Sequence, residues 1–349
     1  MTEFDPRTTG RSASQDRSDS PDQDGGRTLQ FRAGGRVLSL FTTTLHGLIL
    51  RALVGDPVRL LDLQARAGEP PLKALRGSIG NLIGIGALEK RKPGGEPDLL
   101  DNELTPFGCE LLFVAEVFDE WLTRAPGGPL DIDSEAAKDA IRALLGGWNS
   151  RMLRVLAVRS FSLAELDELM GSFSRAALER RLEAMRAVGQ VTAAPPRDGG
   201  ATAYAVTEWL REGVAPLLAS IRCERLYLAG ETAAVGRTDI EALFLLAVPL
   251  VDSFGRTRGR CQLAVDMGDG RVQIAAGVDV AIEDARIVSC VAKLEPAPEE
   301  WMRGSAADWL DAIIDGDPRR LQTGDPDGLP AILVEGLHSR LFPRPAPRA

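Results

Sequence analysis

The sequence predicts an α+β fold, with two tandem units of three helices and a β-hairpin followed by a small sheet covered by helices. Three observations lead to this prediction. The chain has 349 residues with 44% apolar content, which is enough for two or three domains that each bury a core. A segment of the first third recurs in the second third. The last third instead carries apolar runs of strand length, followed by amphipathic helical segments.

Composition and charge narrow the function classes. The net charge is −9, and a globally acidic chain is a poor general nucleic-acid binder, because neutralised phosphates supply most of the non-specific affinity. No apolar run reaches the roughly 18 residues of a membrane helix, and no secretory signal is visible. The 4 scattered cysteines indicate free thiols in a reducing compartment. We therefore expect a cytoplasmic protein with no membrane partner.

Catalytic patterns are missing from the sequence. With only 2 histidines, a His-rich zinc site is nearly excluded and His-based catalysis is disfavoured. There is no phosphate-binding loop, no GxSxG motif and no metal-ligand cluster. Cys261 and Cys290, on predicted strands, are interpreted as buried thiols in preference to redox sensors. We expect neither an enzyme nor a cofactor.

The internal repeat consists of identities at a constant shift of 103 positions. After the first hairpin the shift becomes 102, so that Leu104-Thr105 corresponds to Val206-Thr207. The slip falls in a predicted turn, where insertions are tolerated. The repeat therefore favours two copies of one domain. The identical pairs are Leu50/Leu153, Arg51/Arg154, Leu53/Leu156, Leu60/Leu163, Leu63/Leu166, Gly68/Gly171, Ala74/Ala177, Leu75/Leu178 and Gly86/Gly189.

Each copy has the same predicted order of elements. A first helix is followed by a short second helix, a third helix that ends at a left-handed glycine, a hairpin and a closing helix. This order is the winged helix-turn-helix plan. We place the first helices over about 36–54 and 136–158, the third helices over about 70–85 and 174–188, the cap glycines at Gly86 and Gly189, and the ends of the closing helices near Trp121 and Leu218.

The first copy, "LHGLILRALVGDPVRLLDLQARAG…LKALRGSIGNLIGIGALEKR…NELTPFGCELL", resembles the HxlR-type winged-helix transcription regulators. In that family a Y-x-L-T-x-x-G segment closes the wing. The first copy has NELTPFG from Asn102 and lacks the tyrosine, whereas the second has YAVTEWL from Tyr204 and lacks the glycine. The resemblance covers about 40–125 well and 136–220 moderately. It implies a protein whose partner is double-stranded DNA.

The last third has a different pattern. Ile240–Val251 is a continuous apolar run, and we predict a central strand over Phe244–Val248. Alternating segments around Gly268-Asp269-Gly270 indicate a hairpin, and a fourth strand and two amphipathic helices follow. The order, with its W-x-x-G-x-x-x-x-W-L-x-x-I segment from Trp301, resembles the sterol-carrier-protein type domain over roughly 240–343. That resemblance implies a small sheet covered by helices around an apolar ligand tunnel.

We expect a pocket for a small apolar ligand between the central strand and these helices. Trp301 and Trp309 are placed two turns apart on one helix, so that they share a face with Ile313. An ordinary filled core is the alternative. The candidate pocket residues are Phe244, Trp301, Trp309 and Ile313. The predicted domains are a disordered tail over 1–30, a winged-helix domain over 36–125, a second over 132–226, a sterol-carrier-like ligand-binding domain over 237–343 and a tail over 344–349.

The candidate DNA-binding surface of the first copy is its third helix and its wing. Leu75, Ile79 and Leu82 form a buried stripe, so polar residues fall on the opposite face. Arg and Asn side chains can pair there with base edges in the major groove, and wing cations usually contact phosphates. The candidate residues are Lys73, Arg76 and Asn81 on the helix and Lys90, Arg91 and Lys92 on the wing.

The same helix contains several glycines, each costing roughly 1 kcal/mol relative to alanine. Gly77 and Gly80 fall on the predicted DNA-facing side, where a bare main chain allows a close approach to phosphates. The alternative is that the glycines permit tight helix packing or mark an irregular helix.

In the second copy we expect the third helix to be partly self-neutralised. Arg175 and Glu179 are spaced i,i+4, and Glu183 and Arg186 i,i+3. The second copy is therefore expected to bind DNA more weakly, or to serve as a dimerisation or spacing unit. The opposite assignment stays open if two adjacent arginines turn outward. The candidate DNA-binding residues here are Arg175, Arg180 and Arg181.

These expectations define a DNA-binding transcription regulator with an apolar ligand-sensing domain. One alternative is an interaction protein whose winged helices no longer bind DNA, and another is a ligand carrier. The oligomeric state also stays open, because helix-turn-helix regulators are commonly homodimers, whereas two copies in one chain allow a monomer to span two half-sites.

Overall fold

The computed structural model describes residues 33–43, 45–91, 101–147, 150–171, 174–194, 201–228, 235–251, 258–267, 274–292 and 298–343. Over these residues the fold is mixed α+β, with three small sheets. None of the described helices combines the length and the apolar content needed to cross a membrane. The predicted tails, Lys92 and the Gly268-Asp269-Gly270 turn lie outside the described residues.

The first copy follows the predicted order of elements, with one correction. The predicted first helix over 36–54 is two short helices. Thr42 Oγ1 donates to Ser39 O over 2.7 Å, Leu45 has a φ of 78°, and hydroxyl groups compete in this way with helical main-chain bonds. The elements are α1 (Gly35–Leu40), α2 (His46–Ala52), α3 (Leu60–Arg66), α4 (Leu72–Gly84), β1 (Leu88–Arg91), β2 (Asp101–Leu104) and α5 (Pro106–Thr123).

The second copy repeats this order. Its predicted first helix over 136–158 is again divided, since Ser150 caps a new helix by accepting from Leu153 N over 3.3 Å. Its closing helix is broken at Gly213 and continues past Leu218. The elements are α6 (Glu135–Gly147), α7 (Arg151–Val158), β3 (Phe161–Ser162), α8 (Leu163–Met170), α9 (Arg175–Ala187), β4 (Val191–Ala194), β5 (Ala203–Val206), α10 (Glu208–Glu212) and α11 (Val214–Tyr227).

A threonine at the start of each closing helix makes the same hydrogen bonds in both copies. Thr105 Oγ1 donates to Gly86 O over 2.7 Å and accepts from Gly108 N over 3.1 Å. Thr207 Oγ1 donates to Gly189 O over 2.8 Å and accepts from the N–H three residues further on over 3.2 Å. The two glycines have φ values of 81° and 75°, as predicted for left-handed caps.

An extended segment before the second helix joins the hairpin in each copy. Val58 forms an antiparallel bridge with Asn102 of β2. In the second copy β3 pairs with β5, with Phe161 opposite Tyr204. Val58 and Phe161 are 103 positions apart, the same shift as the sequence identities. The additional pairing, a single bridge in the first copy and the strand β3 in the second, therefore occupies the same place in the order of elements.

The last region is a sheet with three helices. Strands β6 and β9 are parallel, the other neighbours are antiparallel, and the strand order is β10-β9-β6-β7-β8. Its buried apolar residues belong to the same continuous core as those of both copies. The elements are α12 (Arg237–Ala247), a 3-10 turn (Val248–Leu250), β6 (Arg258–Met267), β7 (Ile274–Glu283), β8 (Arg286–Val291), β9 (Glu300–Ser305), α13 (Ala306–Asp315), a 3-10 turn (Pro318–Arg320), β10 (Gln322–Thr323) and α14 (Leu329–Leu341).

The predicted central strand over Phe244–Val248 is wrong. Residues 244–247 are the end of α12, and Val248 begins a 3-10 turn. Every residue from Asp239 to Ala247 is buried, because α12 packs against β7 on one side and against α7 and α10 on others. A helix buried on all sides has no polar face, so its apolar run cannot be distinguished by period from a buried strand.

Candidate nucleic-acid interface

The third helix of the first copy separates into a buried and an exposed face as predicted. Leu75 and Leu82 are 0% exposed and Ile79 is 5% exposed. The side chains of Lys73, Arg76 and Asn81 are exposed on the other face. Neither Lys73 nor Arg76 forms an ion pair with any residue in the described ranges. The exposed face of α4 thus presents two cations and an amide, and the helix itself, from Leu72 to Gly84, contains no acidic residue.

The glycines of α4 lie on this exposed face. A Cβ atom added at Gly77, Gly80 or Gly84 would meet no atom of another described element within 4 Å. Tight packing inside the chain is therefore not the reason for these glycines. The helix is also continuous from Leu72 to Gly84, so it is not irregular. Of the three explanations considered, a bare main chain open to an external partner is the one that agrees with the geometry.

The hairpin of the first copy carries mixed charge. Lys90 and Arg91 on β1 are exposed, and Arg91 Nη1 lies 3.1 Å from a carboxylate oxygen of Glu103. Glu89 stands opposite Glu103 in the strand register. Exposed pairs of this kind contribute little and are easily exchanged, so Arg91 can still contact a phosphate. The acidic neighbours nevertheless weaken the positive potential of the wing.

The third helix of the second copy has the predicted internal ion pairs. Arg175 Nε lies 3.5 Å from Glu179 Oε1, and Arg186 Nη1 lies 3.1 Å from Glu183 Oε2. Adjacent Arg180 and Arg181 are exposed and make no ion pair with the described part of the chain. The second copy therefore also exposes two cations, although on a helix that carries two acidic residues, whereas α4 carries none.

The candidate pocket residues are only partly brought together. Phe244, Trp309 and Ile313 line an apolar cavity between α11, α12 and α13 of about 20 Å³. The Phe244 and Trp309 rings meet edge to face at 4.9 Å, and Trp309 Nε1 donates to Ala264 O over 2.9 Å. This volume holds about one water molecule, so the cavity is nearly filled in this conformation.

The placement of Trp301 beside Trp309 on one helix is wrong. Trp301 lies on β9, and the helix begins only at Ala306. Ser305 caps that helix, accepting from Asp308 N over 3.2 Å. An S-x-x-D capping signal at this position is visible in the sequence, and it identifies the boundary that helical spacing alone missed.

The closing helices of the two copies pack against each other, a contact that the sequence patterns did not indicate. The Trp121 and Trp209 rings stack with centroids 4.6 Å apart and an interplanar angle of 8°. Trp121 Nε1 donates to Trp209 O over 2.8 Å, and Trp209 Nε1 donates to Trp121 O over 2.9 Å. At the other end Phe107 stacks on Tyr227 at 5.2 Å.

Ion pairs join the same two elements at both ends. Glu110 Oε1 lies 3.4 Å from Arg222 Nε. Glu212 Oε1 lies 3.6 Å from Arg124 Nη1, and the Glu212 side chain is only 8% exposed. Glu212 Oε1 also lies 2.6 Å from Arg340 Nη2 of α14, and Arg222 Nη1 lies 2.8 Å from Asp315 Oδ1 of α13. Both pairs therefore belong to networks that also join the closing helices to the last region, which satisfies charges that have left water.

Three of the four cysteines and His46 are buried. These cysteines are Cys223, Cys261 and Cys290, and burial raises the pKa of the Cys290 thiol to about 12, which keeps it protonated and unreactive. Burial lowers the pKa of His46, whose Nδ1 lies 2.9 Å from Leu40 O. Within the described residues, no group of three or more metal-binding side chains converges.

No protein-family model matches the chain, and no curated protein matches its sequence significantly. The proposed function is therefore based on the geometry of the chain itself.

Proposed function

We propose that the chain is a DNA-binding transcription regulator and that its first copy is the main DNA-binding unit. The observation that carries the proposal is the exposed face of α4. It presents Lys73, Arg76 and Asn81 beside three glycines whose main chain is open to an external partner. Arg and Asn are the residues that form bidentate contacts with guanine and adenine edges. A duplex groove can approach this face closely, because no side chain stands at the glycine positions.

The order of elements supports the same proposal. In both copies a helix, an extended segment that pairs with the hairpin, two further helices and the hairpin itself follow each other. This is the order of a winged helix-turn-helix domain, in which the third helix enters the major groove. Lys90 and Arg91 then lie on the wing, where cations contact phosphates and set the register without specifying sequence.

An equilibrium binding assay tests the proposal. The full chain is titrated against a duplex from the region upstream of its own gene, over a range of salt concentrations. We expect the logarithm of the association constant to fall steeply with the logarithm of the salt concentration, with a slope of about −0.9 per phosphate contact. Replacing Lys90, Arg91 and Lys92 by alanine should weaken binding to all sequences and flatten this slope. Arg76→Ala should instead relax the sequence preference, and Arg286→Ala, an exposed cation on β8, serves as the control.

An interaction protein that does not bind DNA is the second candidate. Two observations favour it: the net charge of −9 and the juxtaposition of Glu89 and Glu103 on the hairpin of the first copy. In that case the salt titration shows no salt-dependent affinity for any duplex, and the regulator proposal is wrong.

We also propose that the last region senses a small apolar ligand at the cavity beside Trp309. The cavity is lined only by apolar side chains, including Val214 and Leu218 of α11. Because its volume is about 20 Å³, a ligand must separate α12 from α13 to enter. Binding to the folded state should raise the melting temperature. A screen of neutral lipophilic compounds that produces no shift, for the native chain or for a cavity-enlarging Ile313→Ala variant, would reduce this region to a scaffold.

A further inference from the structure

The contacts between the two closing helices are reciprocal. At the shift of 102 positions that relates these helices, Phe107 corresponds to Trp209. Phe107 stacks on Tyr227 near the end of α11, and Trp209 stacks on Trp121 near the end of α5. Equivalent residues at the start of each closing helix therefore contact an aromatic ring near the end of the other.

The ion pairs repeat the pattern. Glu110 and Glu212 are equivalent at the same shift. Glu110 pairs with Arg222 of α11, and Glu212 pairs with Arg124, which follows α5. In a two-fold interface, residue i of one subunit contacts j of the other while j contacts i. The closing helices have this relation within one chain, although the matching partners differ by about one helical turn.

A two-fold relation constrains where the third helices can be. Rotation about an axis leaves every point at the same height along that axis. Extended from the closing helices to the whole of each copy, the relation would therefore place α4 and α9 at similar heights. Faces that point along the axis then point the same way in both copies. This is how dimeric helix-turn-helix proteins present two recognition helices to inverted half-sites of one duplex.

The two presented surfaces differ in chemistry. On α4 the exposed groups are Lys73, Arg76 and Asn81, whereas on α9 the free cations are Arg180 and Arg181. On the basis of the proposed function, we infer that a single chain binds one duplex as an internal pseudo-dimer, on an operator of two inverted and unlike half-sites. A homodimer is then not needed for operator binding.

In vitro selection from a random-sequence duplex library tests this inference with the full chain. We expect the enriched sequences to share two different elements in inverted orientation. Arg76→Ala should remove base preference in one element only, and the Arg180→Ala/Arg181→Ala variant in the other only, each by about tenfold or more. Arg286→Ala, which removes an exposed cation from β8, should change neither. Sedimentation equilibrium should give one chain per duplex.

The outcomes separate the inference from the proposed function. A palindrome bound by two chains would contradict the pseudo-dimer while leaving DNA binding intact, and so would a single uninterrupted element or variants that affect the same element. A selection that enriches no sequence would contradict the proposed function and this inference together.

Discussion

The third helices of the two copies occupy the same place in the order of elements but carry different residues on their exposed faces. At the shift of 103 positions Gly77 of α4 corresponds to Arg180 of α9, and Gly80 corresponds to Glu183. The α4 face lacks helix-forming side chains at these positions, whereas α9 has charged side chains and two internal ion pairs. The glycines lower the intrinsic helix stability of α4 and leave its main chain exposed. The charged residues of α9 are better helix formers, and its ion pairs neutralise part of its charge.

The closing helices, in contrast, make similar contacts through equivalent residues in the two copies. Phe107 and Trp209 each stack across the contact, and Glu110 and Glu212 each form an ion pair across it. Each copy therefore contributes similar residues to the contact between the copies, whereas the candidate DNA-binding faces, the exposed faces of α4 and α9, carry different residues.

The largest expected effect concerns this pairing. Trp209→Ala removes a stacked ring that is 4% exposed, and Trp or Phe to Ala changes in a core cost about 3–5 kcal/mol. Phe107→Ala, at the equivalent position, should have an effect of the same order. Urea unfolding measures both, with Trp209→Phe as the control that keeps a ring but removes the Nε1 donor. If either alanine variant lowers the free energy of unfolding by less than about 1 kcal/mol, the two equivalent stacking contacts do not contribute similarly to stability.

A second test concerns a position in the closing helices where the first copy has a glycine and the second copy a leucine. A Cβ atom at Gly108 would lie 2.1 Å from Ala87 O, so Gly108→Ala must displace α5 and should cost about 1–3 kcal/mol or more. Leu210, at the equivalent position, is 0% exposed, and Leu210→Ala should cost about 2–5 kcal/mol through a cavity. Thermal unfolding of both variants checks this. An unchanged melting temperature of Gly108→Ala would show that the close approach of α5 to the main chain at Ala87 does not stabilise the first copy.

The glycines of α4 give a test with opposite effects on stability and binding. Gly77→Ala and Gly80→Ala together should raise the free energy of unfolding by about 1–2 kcal/mol, because each alanine favours the helix and meets no neighbour. The same variant should bind DNA more weakly, since two methyl groups now cover the main chain. A variant that is more stable and binds DNA unchanged would show that the glycines have no role in binding.

The smallest expected effect is a pH dependence of stability from a contact that only one copy makes. Glu224 of α11 is 2% exposed and accepts from Gly34 N and Val37 N at the start of α1. In α5 the equivalent position is Leu122. Burial raises the pKa of Glu224 above its ordinary value of 4.5, while the main-chain hydrogen bonds act in the opposite direction.

The sign follows from proton binding. The folded state holds the proton of Glu224 more tightly, so the free energy of unfolding should fall as the pH rises from 4.5 through the raised pKa. Glu224→Gln should remove this part of the slope. Urea unfolding at a series of pH values measures it, and an unchanged slope in the variant would mean that other carboxyl groups dominate.

Much of the secondary structure was predictable, because its local signals are strong. The expected third helices over 70–85 and 174–188 are α4 (Leu72–Gly84) and α9 (Arg175–Ala187). Their buried stripes and left-handed glycine caps are encoded within a few turns.

Other features were not predictable from local pattern. From Asp239 to Ala247 the helix α12 is buried on every side and so has no periodic polar face, which is why its sequence predicts a strand. The cavity beside Trp309 includes side chains of α11, which belongs to the second copy. The stacking of Trp121 on Trp209 joins residues 88 positions apart. Contacts between distant segments leave no spacing signal in a single sequence.

The comparison of the two candidate DNA-binding faces is tested most directly by two variants with the same loss of charge. One variant replaces Lys73, Arg76 and Lys90 of the first copy by alanine, and the other replaces Arg175, Arg180 and Arg181 of the second copy. The measurement is the slope of log Kd against log salt concentration for a selected duplex. We predict a clearly larger loss of affinity and a flatter slope for the first-copy variant. Equal losses in the two variants would mean that only net charge matters, and a larger loss in the second-copy variant would contradict the account.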